Sequence, residues 1–152
     1  MVISYQGARS KPPKFTPQAL HVKDFMTKQL ICFEPDQYMH EAIQTLLDKK
    51  ISGAPVIDKN GNLIGILSEG DCLKEVVKGK YNNSPSLLGT VSEYMTKDPV
   101  TVKPDDNILE VANFFLERRL RRFPVLENGK LVGQISQRDI MNAVQNLKNE
   151  TW

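Results

Sequence analysis

Cysteine and histidine are nearly missing from this chain, with two of each among 152 residues. Cys32 and Cys72 lie far apart without CxxC spacing, and His21 and His40 stand alone, so neither a disulfide framework nor a zinc site has a basis in sequence. Two ordinary buried thiols are the expectation. An excess of charge of one sign is missing too. Twenty Lys and Arg against eighteen Asp and Glu leave a net charge of +2, too little to draw the chain to nucleic acid or to an anionic membrane. No apolar run approaches the roughly 18 residues that a membrane span needs, and the opening MVISYQGARSKPPKF lacks the apolar stretch of a secretory signal. A cytoplasmic protein without membrane insertion is expected. Neither histidine belongs to a recognisable catalytic motif and Ser68 has no nearby candidate base, so an enzyme is not expected.

What the chain does contain is a repeat. The length suits one globular domain of ordinary size, yet DFMTK at 24–28 returns as EYMTK at 93–97. At the same offset Pro35 meets Pro104, Glu41 meets Glu110, and APVI at 54–57 meets FPVL at 123–126. Past a connecting turn shortened by one residue, GILSEGD at 65–71 returns as GQISQRD at 133–139.

Each copy reads as a short extended piece, an amphipathic helix, two strands and a closing helix. In the first, Asp36 is placed to cap a helix carrying Met39, Ala42, Ile43, Leu46 and Leu47 at helical spacing. In the second, Asp105 or Asp106 takes that place before Ile108, Val111, Ala112, Phe115 and Leu116. Strands follow at 54–57 and 63–67, and Asn128-Gly129 in the second copy suits a two-residue hairpin. The closing helices are expected at roughly 70–78 and 138–147, the latter with Ile140, Met141, Val144 and Leu147 on its apolar face. A unit of some 60 residues buries too little apolar surface to be comfortable alone, which argues for two units covering each other's sheets about a pseudo-two-fold axis. The expected organisation is an N-terminal arm at 1–19, unit one at 20–78, a polar linker at 79–90, unit two at 91–147 and a short tail at 148–152.

The combination of DFMTK, SGAPVIDKNGNLIGILSEGD and their second copies resembles the CBS domain, which occurs as a tandem pair called a Bateman module. The resemblance covers residues from about 20 to 147. It implies an α+β fold of two β-α-β-β-α units, and a stand-alone pair, since no catalytic or transport domain accompanies it. It also implies that the cleft between the units binds an adenosine-containing ligand such as AMP, ADP, ATP or S-adenosylmethionine. Occupancy would regulate a partner protein. No cofactor is required, and two modules are expected to pack their helices into a flat homodimer.

The local chemistry agrees with either of two roles. A carboxylate in the first turn of a helix can accept hydrogen bonds from both ribose hydroxyls, and Asp71 and Asp139 are so placed. Ser68 and Ser136, three residues earlier, suit a phosphate oxygen beside the free N–H groups of a helix start. On spacing alone the same residues are plain N-caps with acidic partners at the positive helix end. The resemblance implies that each site draws on both units. One would use Ser68 and Asp71 with Val100, Arg121 and Arg138. The other would use Ser136 and Asp139 with Ile31, Ser52, Gly53, Gly70 and Arg122. Arginine makes the stronger phosphate contacts, so the Asp71 site is expected to be the better nucleotide site, although Glu69 favours a less anionic ligand. Arg118 and Arg119 fall at a helix end, where a basic pair also simply complements the dipole. Two functions remain open: an adenosyl-ligand sensor acting on an unidentified protein partner, or a docking module that dimerises and binds an enzyme or transporter without a ligand.

Overall fold

The computed structural model describes residues 20–81 and 89–151. The arm at 1–19, residues 82–88 of the linker and position 152 lie outside the described residues.

Among the described residues eleven elements follow in chain order: α1 (Val22–Phe25), α2 (Met39–Lys49), β1 (Gly53–Ile57), β2 (Leu63–Ser68), α3 (Glu69–Tyr81), α4 (Val91–Tyr94), β3 (Thr96–Lys97), α5 (Ile108–Arg118), β4 (Arg122–Glu127), β5 (Lys130–Ser136) and α6 (Gln137–Thr151). The two copies fold alike. β1 pairs antiparallel with β2 and β4 with β5, and a residue of the extended piece adds to each sheet in parallel, Phe33 beside Val56 and Val102 beside Val125. Asn128 and Gly129 both take positive φ, 52° and 79°, the signature of the tight turn whose twist matches its flanking strands.

The lead-in segments cross over. Thr96–Lys97 of the second copy pairs with β2 of the first, and Thr27 of the first pairs with Gln134 in β5 of the second through two backbone hydrogen bonds. The helices before them cross as well. Val22 N–H donates to Asp106 O, and Lys23 N–H to Pro104 O, while Val91 N–H donates to Gln37 O, and Ser92 N–H to Pro35 O. The repeated glycines of β2 and β5 explain how closely these segments approach. A Cβ on Gly65 would stand 2.6 Å from Met95 Sδ and 2.9 Å from Thr96 O, and one on Gly133 would meet Met26 Sδ at 2.7 Å. Val91 is buried in a core with Phe33, Met39, Leu46, Val56 and Leu67; Val22 and Leu20 are buried with Val102, Ile108, Phe115, Phe123 and Ile135. Fully burying one such valine stabilises by about 1.5–3 kcal/mol, so the crossover ties each unit to the other.

Several local expectations are corrected. The N-cap of α2 is Tyr38, without a side-chain cap, rather than Asp36. The N-cap of α5 is Asn107, whose side chain accepts from Leu109 N–H; Asp106 instead accepts from Lys103 N–H in the turn before it, and Asp105 pairs with Lys23 of α1 at 3.0 Å. Leu47 and Leu116 are 67% and 77% exposed, and Met141 and Val144 also face outward. Helical spacing put them on an apolar stripe, but only part of that stripe is covered by the rest of the fold. The side chain of Leu147 lies outside the described residues. Both closing helices are longer than expected, because Ser68 and Ser136 start them one residue earlier and nothing breaks them at Lys78 or Leu147. Cys32 is only partly buried, whereas Cys72 is buried.

Candidate functional site

Strand β2 delivers Ser68 to the start of α3, and the two residue types of the repeated motif lock there. Ser68 N–H and Oγ–H both donate to Asp71 Oδ2, at 2.9 and 3.0 Å, and Asp71 N–H donates back to Ser68 Oγ at 3.3 Å. This reciprocal arrangement is a capping box, with an aspartate in place of the usual Glu or Gln. The second copy repeats it. Ser136 N–H donates to Asp139 Oδ2 at 2.9 Å and Asp139 N–H to Ser136 Oγ at 3.1 Å. The capping role is therefore present at both positions. Asp71 is 4% exposed, and its other oxygen, Oδ1, lies 4.0 Å from Lys74 Nζ.

A cleft of about 610 Å³ opens beside this corner, within the range of ordinary small-molecule sites. The first copy contributes Ser52, Gly53, Ile66, Ser68, Glu69 and Gly70 to its wall. From the second come Thr96, Asp98, Pro99 and Val100 of the crossed lead-in, and the run Arg118, Arg119, Leu120, Arg121 and Arg122. Two backbone features shape this second wall. Arg119 ends α5 in the left-handed region at φ 56°, turning the chain so that the residues after it run along the cleft. Asp98 sits at φ 52° before Pro99, a conformation that an aspartate tolerates and that a following proline steers away from helix.

The structure brings Ser68, Val100 and Arg121 together in this cleft, with Asp71 bonded to Ser68. Ser52, Gly53, Gly70 and Arg122 line it too, so residues assigned by sequence to two sites share one cleft. Arg138 is exposed at the start of α6 and does not line the cleft, nor do Asp71, Ile31, Ser136 and Asp139. Arg118 and Arg119 do, although they read in sequence as a helix-end pair; their adjacency to Arg121 was the only cue. Asp98 and Thr96 had no cue, because nothing short of the crossover puts them there.

Arg122 is a clamp between the copies. Its Nη1 donates to Gly53 O at 3.0 Å and its Nη2 to Ser52 Oγ. Burial, followed by the nearby charge of Arg121, pushes its guanidinium pKa down, while Glu69 opposes the shift. A second clamp lies at the hairpin turns, where Lys130 Nζ donates to Asn60 O at 2.7 Å and to Asn62 Oδ1 at 3.0 Å. Burial, with Asp71 and Glu69 nearby, pushes the Cys72 thiol up to about 11, so it is not a reactive thiolate at neutral pH. Among the described residues no group of three or more His, Cys, Asp or Glu could hold a metal ion, and no helix is long and apolar enough to cross a membrane.

Two tandem units with crossed lead-ins and a shared cleft define a paired α+β module, and comparison gives its class. The CBS domain matches residues 22–78 and 91–146; the chain belongs to the CBS domain family. It is 30% identical over 156 residues to the chloroplastic CBS domain-containing protein CBSX2 of Arabidopsis thaliana, an alignment that takes in 86% of this chain and 66% of CBSX2. The chain thus spans just under two thirds of that relative. The crystal structure of CBSX2 in complex with AMP superposes with a TM-score of 0.74 at 32% identity, covering 85% of this chain and 98% of that one. The CBS domain pair of MJ0100, crystallised with 5′-methylthioadenosine and S-adenosyl-L-methionine, gives 0.71 at 25% identity, covering 84% and 97%.

Proposed function

We propose that this chain is a non-catalytic regulatory module whose inter-unit cleft takes an adenosyl ligand, with AMP, ADP or ATP ahead of S-adenosylmethionine, and that occupancy modulates a protein partner. The observation that carries this reading is the cleft itself, built from both copies and edged by the Ser68–Asp71 corner. The adenosyl compounds held by CBSX2 and by the MJ0100 pair support it. In this reading Asp71 Oδ1 receives the ribose hydroxyls while Oδ2 keeps the cap. Ser68 and Arg121 meet phosphate, Val100 backs the base, and Arg138 approaches from outside. The complementary site would rest on Ser136 and Asp139 with Ile31, Ser52, Gly53, Gly70 and Arg122. A ligand touching both walls shifts the arrangement of the units only by its differential affinity for the two arrangements.

Homodimerisation belongs to the same proposal. Leu73, Val76 and Val77 on α3, and Met141 and Val144 on α6, are exposed large apolar side chains on equivalent closing helices. A second copy covering those faces would remove them from water. The same faces favour a second reading, a docking module that works without a ligand.

Calorimetric titration with AMP, ATP, S-adenosylmethionine and GTP, on wild type and Asp71→Ala, separates the two. Binding of an adenosyl ligand that is lost in the variant supports the sensor. A stable dimer that binds none of them supports the docking module.

A further inference from the structure

We infer that the cleft selects for a phosphate chain, taking an adenine nucleotide with two or three phosphates in preference to AMP or an adenosyl amino acid, and that Arg119 and Arg121 make the selection. This rests on the reading that the cleft is a nucleotide site. Four arginines line it against two carboxylates, Glu69 and Asp98, but the four are not equally available. Arg122 is committed to Gly53 O and Ser52 Oγ. Arg118 holds its guanidinium 5.3 Å from the centre of the Phe114 ring. Arg119 and Arg121 have exposed side chains that make no hydrogen bond or ion pair among the described residues. Of the four arginines that line the cleft, they are the two free to receive a ligand.

Their spacing decides what they receive. Leu120 separates them, so their Cα atoms can stand about 7 Å apart, and the left-handed turn at Arg119 holds both on the same wall. A single phosphate satisfies one guanidinium, while a di- or triphosphate chain can engage both in charge-assisted pairs. Asp98 faces the same space and repels phosphate, so the preference has to come from the second guanidinium, which a monophosphate or an amino-acid tail leaves unpaired and a longer phosphate chain engages.

The test is calorimetric titration of the full chain with ATP, ADP, AMP, S-adenosylmethionine and GTP at about 0.15 M salt, where long-range charge effects are screened. Wild type is compared with Arg119→Asn/Arg121→Gln, asparagine being chosen because it accepts a left-handed backbone. Circular dichroism checks that the variant is folded, as exposed side chains lead one to expect. Wild type should bind ATP at least about tenfold more tightly than AMP, the scale of one charge-assisted contact. The double variant should bring the ratio close to one, mainly by weakening ATP. Equal wild-type affinities for ATP and AMP, or a ratio unmoved in the variant, would overturn the inference while leaving the adenosyl site standing. GTP binding as tightly as ATP, with the same loss in the variant, would support the phosphate selection and sink the adenosine reading. No binding by any of the five overturns both.

Discussion

The two lead-in helices dock on opposite units by the same backbone scheme but with different chemistry. Where α1 meets the second unit, Phe25 and Ala143 both belong to an apolar cluster. The matching positions where α4 meets the first unit are Tyr94 and Glu75. Glu75 is 4% exposed, its Oε2 has no hydrogen-bond partner, and it holds the Tyr94 hydroxyl in its protonated form. Lys78 Nζ lies 5.7 Å from the Tyr94 ring centre. A buried carboxylate with one unpaired oxygen carries a desolvation penalty that a phenylalanine against an alanine does not. The duplicated fold thus keeps its backbone symmetry while the α4 joint is the weaker of the two. That joint leads directly into β3 and Asp98 on the cleft wall.

The cores differ in the opposite sense, by compensation. Phe33 stands where the second copy has Val102, and Phe123 stands where the first has Ala54. Each unit therefore holds one phenylalanine at this level, from different strands. Replacing Phe123 by alanine, which also removes its ring contacts at 4.3 Å to Phe115 and 5.4 Å to Phe114, should cost about 3–5 kcal/mol, the largest effect expected of any single change discussed. Phe33→Ala should cost a similar amount. Because the lead-ins are crossed, denaturant unfolding followed by circular dichroism should show one transition in both variants. Two separated transitions would mean that the crossover does not couple the units.

Next in size is the joint itself. Tyr94→Phe takes away the hydroxyl coupled to the buried Glu75 carboxylate and should cost about 1–3 kcal/mol. Tyr94→Phe/Glu75→Ala rebuilds the apolar chemistry of the other joint and should return to within about 1 kcal/mol of wild type, giving a clear coupling energy in a double-mutant cycle. Additive losses would show that the pair does not act as a unit. The clamps rank below this. Arg122→Met, which unties a half-buried guanidinium from two acceptors, should cost about 1–3 kcal/mol. Lys130→Met, at an exposed turn, should cost less than about 1 kcal/mol.

Much of this architecture was legible in the residues because a repeat supplies its own alignment. APVI against FPVL and the two S-x-x-D segments set the strands, the hairpins and the starts of the closing helices. The crossover was not legible. Thr27 and the two residues of β3 are too short to show a period, and the tight glycines Gly65 and Gly133 mark a close approach without saying what approaches. Caps misled for a similar reason: three polar residues in a row, Asp105, Asp106 and Asn107, all suit an N-cap, and only the backbone decides among them. Exposed Leu47, Leu116, Met141 and Val144 show that helical spacing reports a face but not what covers it. The cleft arginines were half legible. Arg121 was, but Arg119 enters through a left-handed turn at a residue that carries no conformational signature.

The smallest effect at neutral pH, and the most selective reporter of the weaker joint, is the ionisation of Tyr94. A tyrosine ordinarily titrates near about 10. The hydrogen bond to Glu75, then burial, then the charges of Glu75 and Glu93 push Tyr94 up to about 12. The folded pKa lies above the unfolded one, so the joint's contribution is whole below about pH 10 and is lost as pH rises from there towards 12. At the Phe25 joint the pairing with Asp105 raises the pKa of Lys23, a change that wild type and Tyr94→Phe share and that cancels when the two are compared. Tyrosinate absorbance should therefore show one late-ionising tyrosine that is absent from Tyr94→Phe, and wild-type stability should fall more steeply than the variant's over the same range. Parallel stability curves for the two proteins would mean that the hydroxyl is not held by Glu75, and that the two joints are more alike than their side chains suggest.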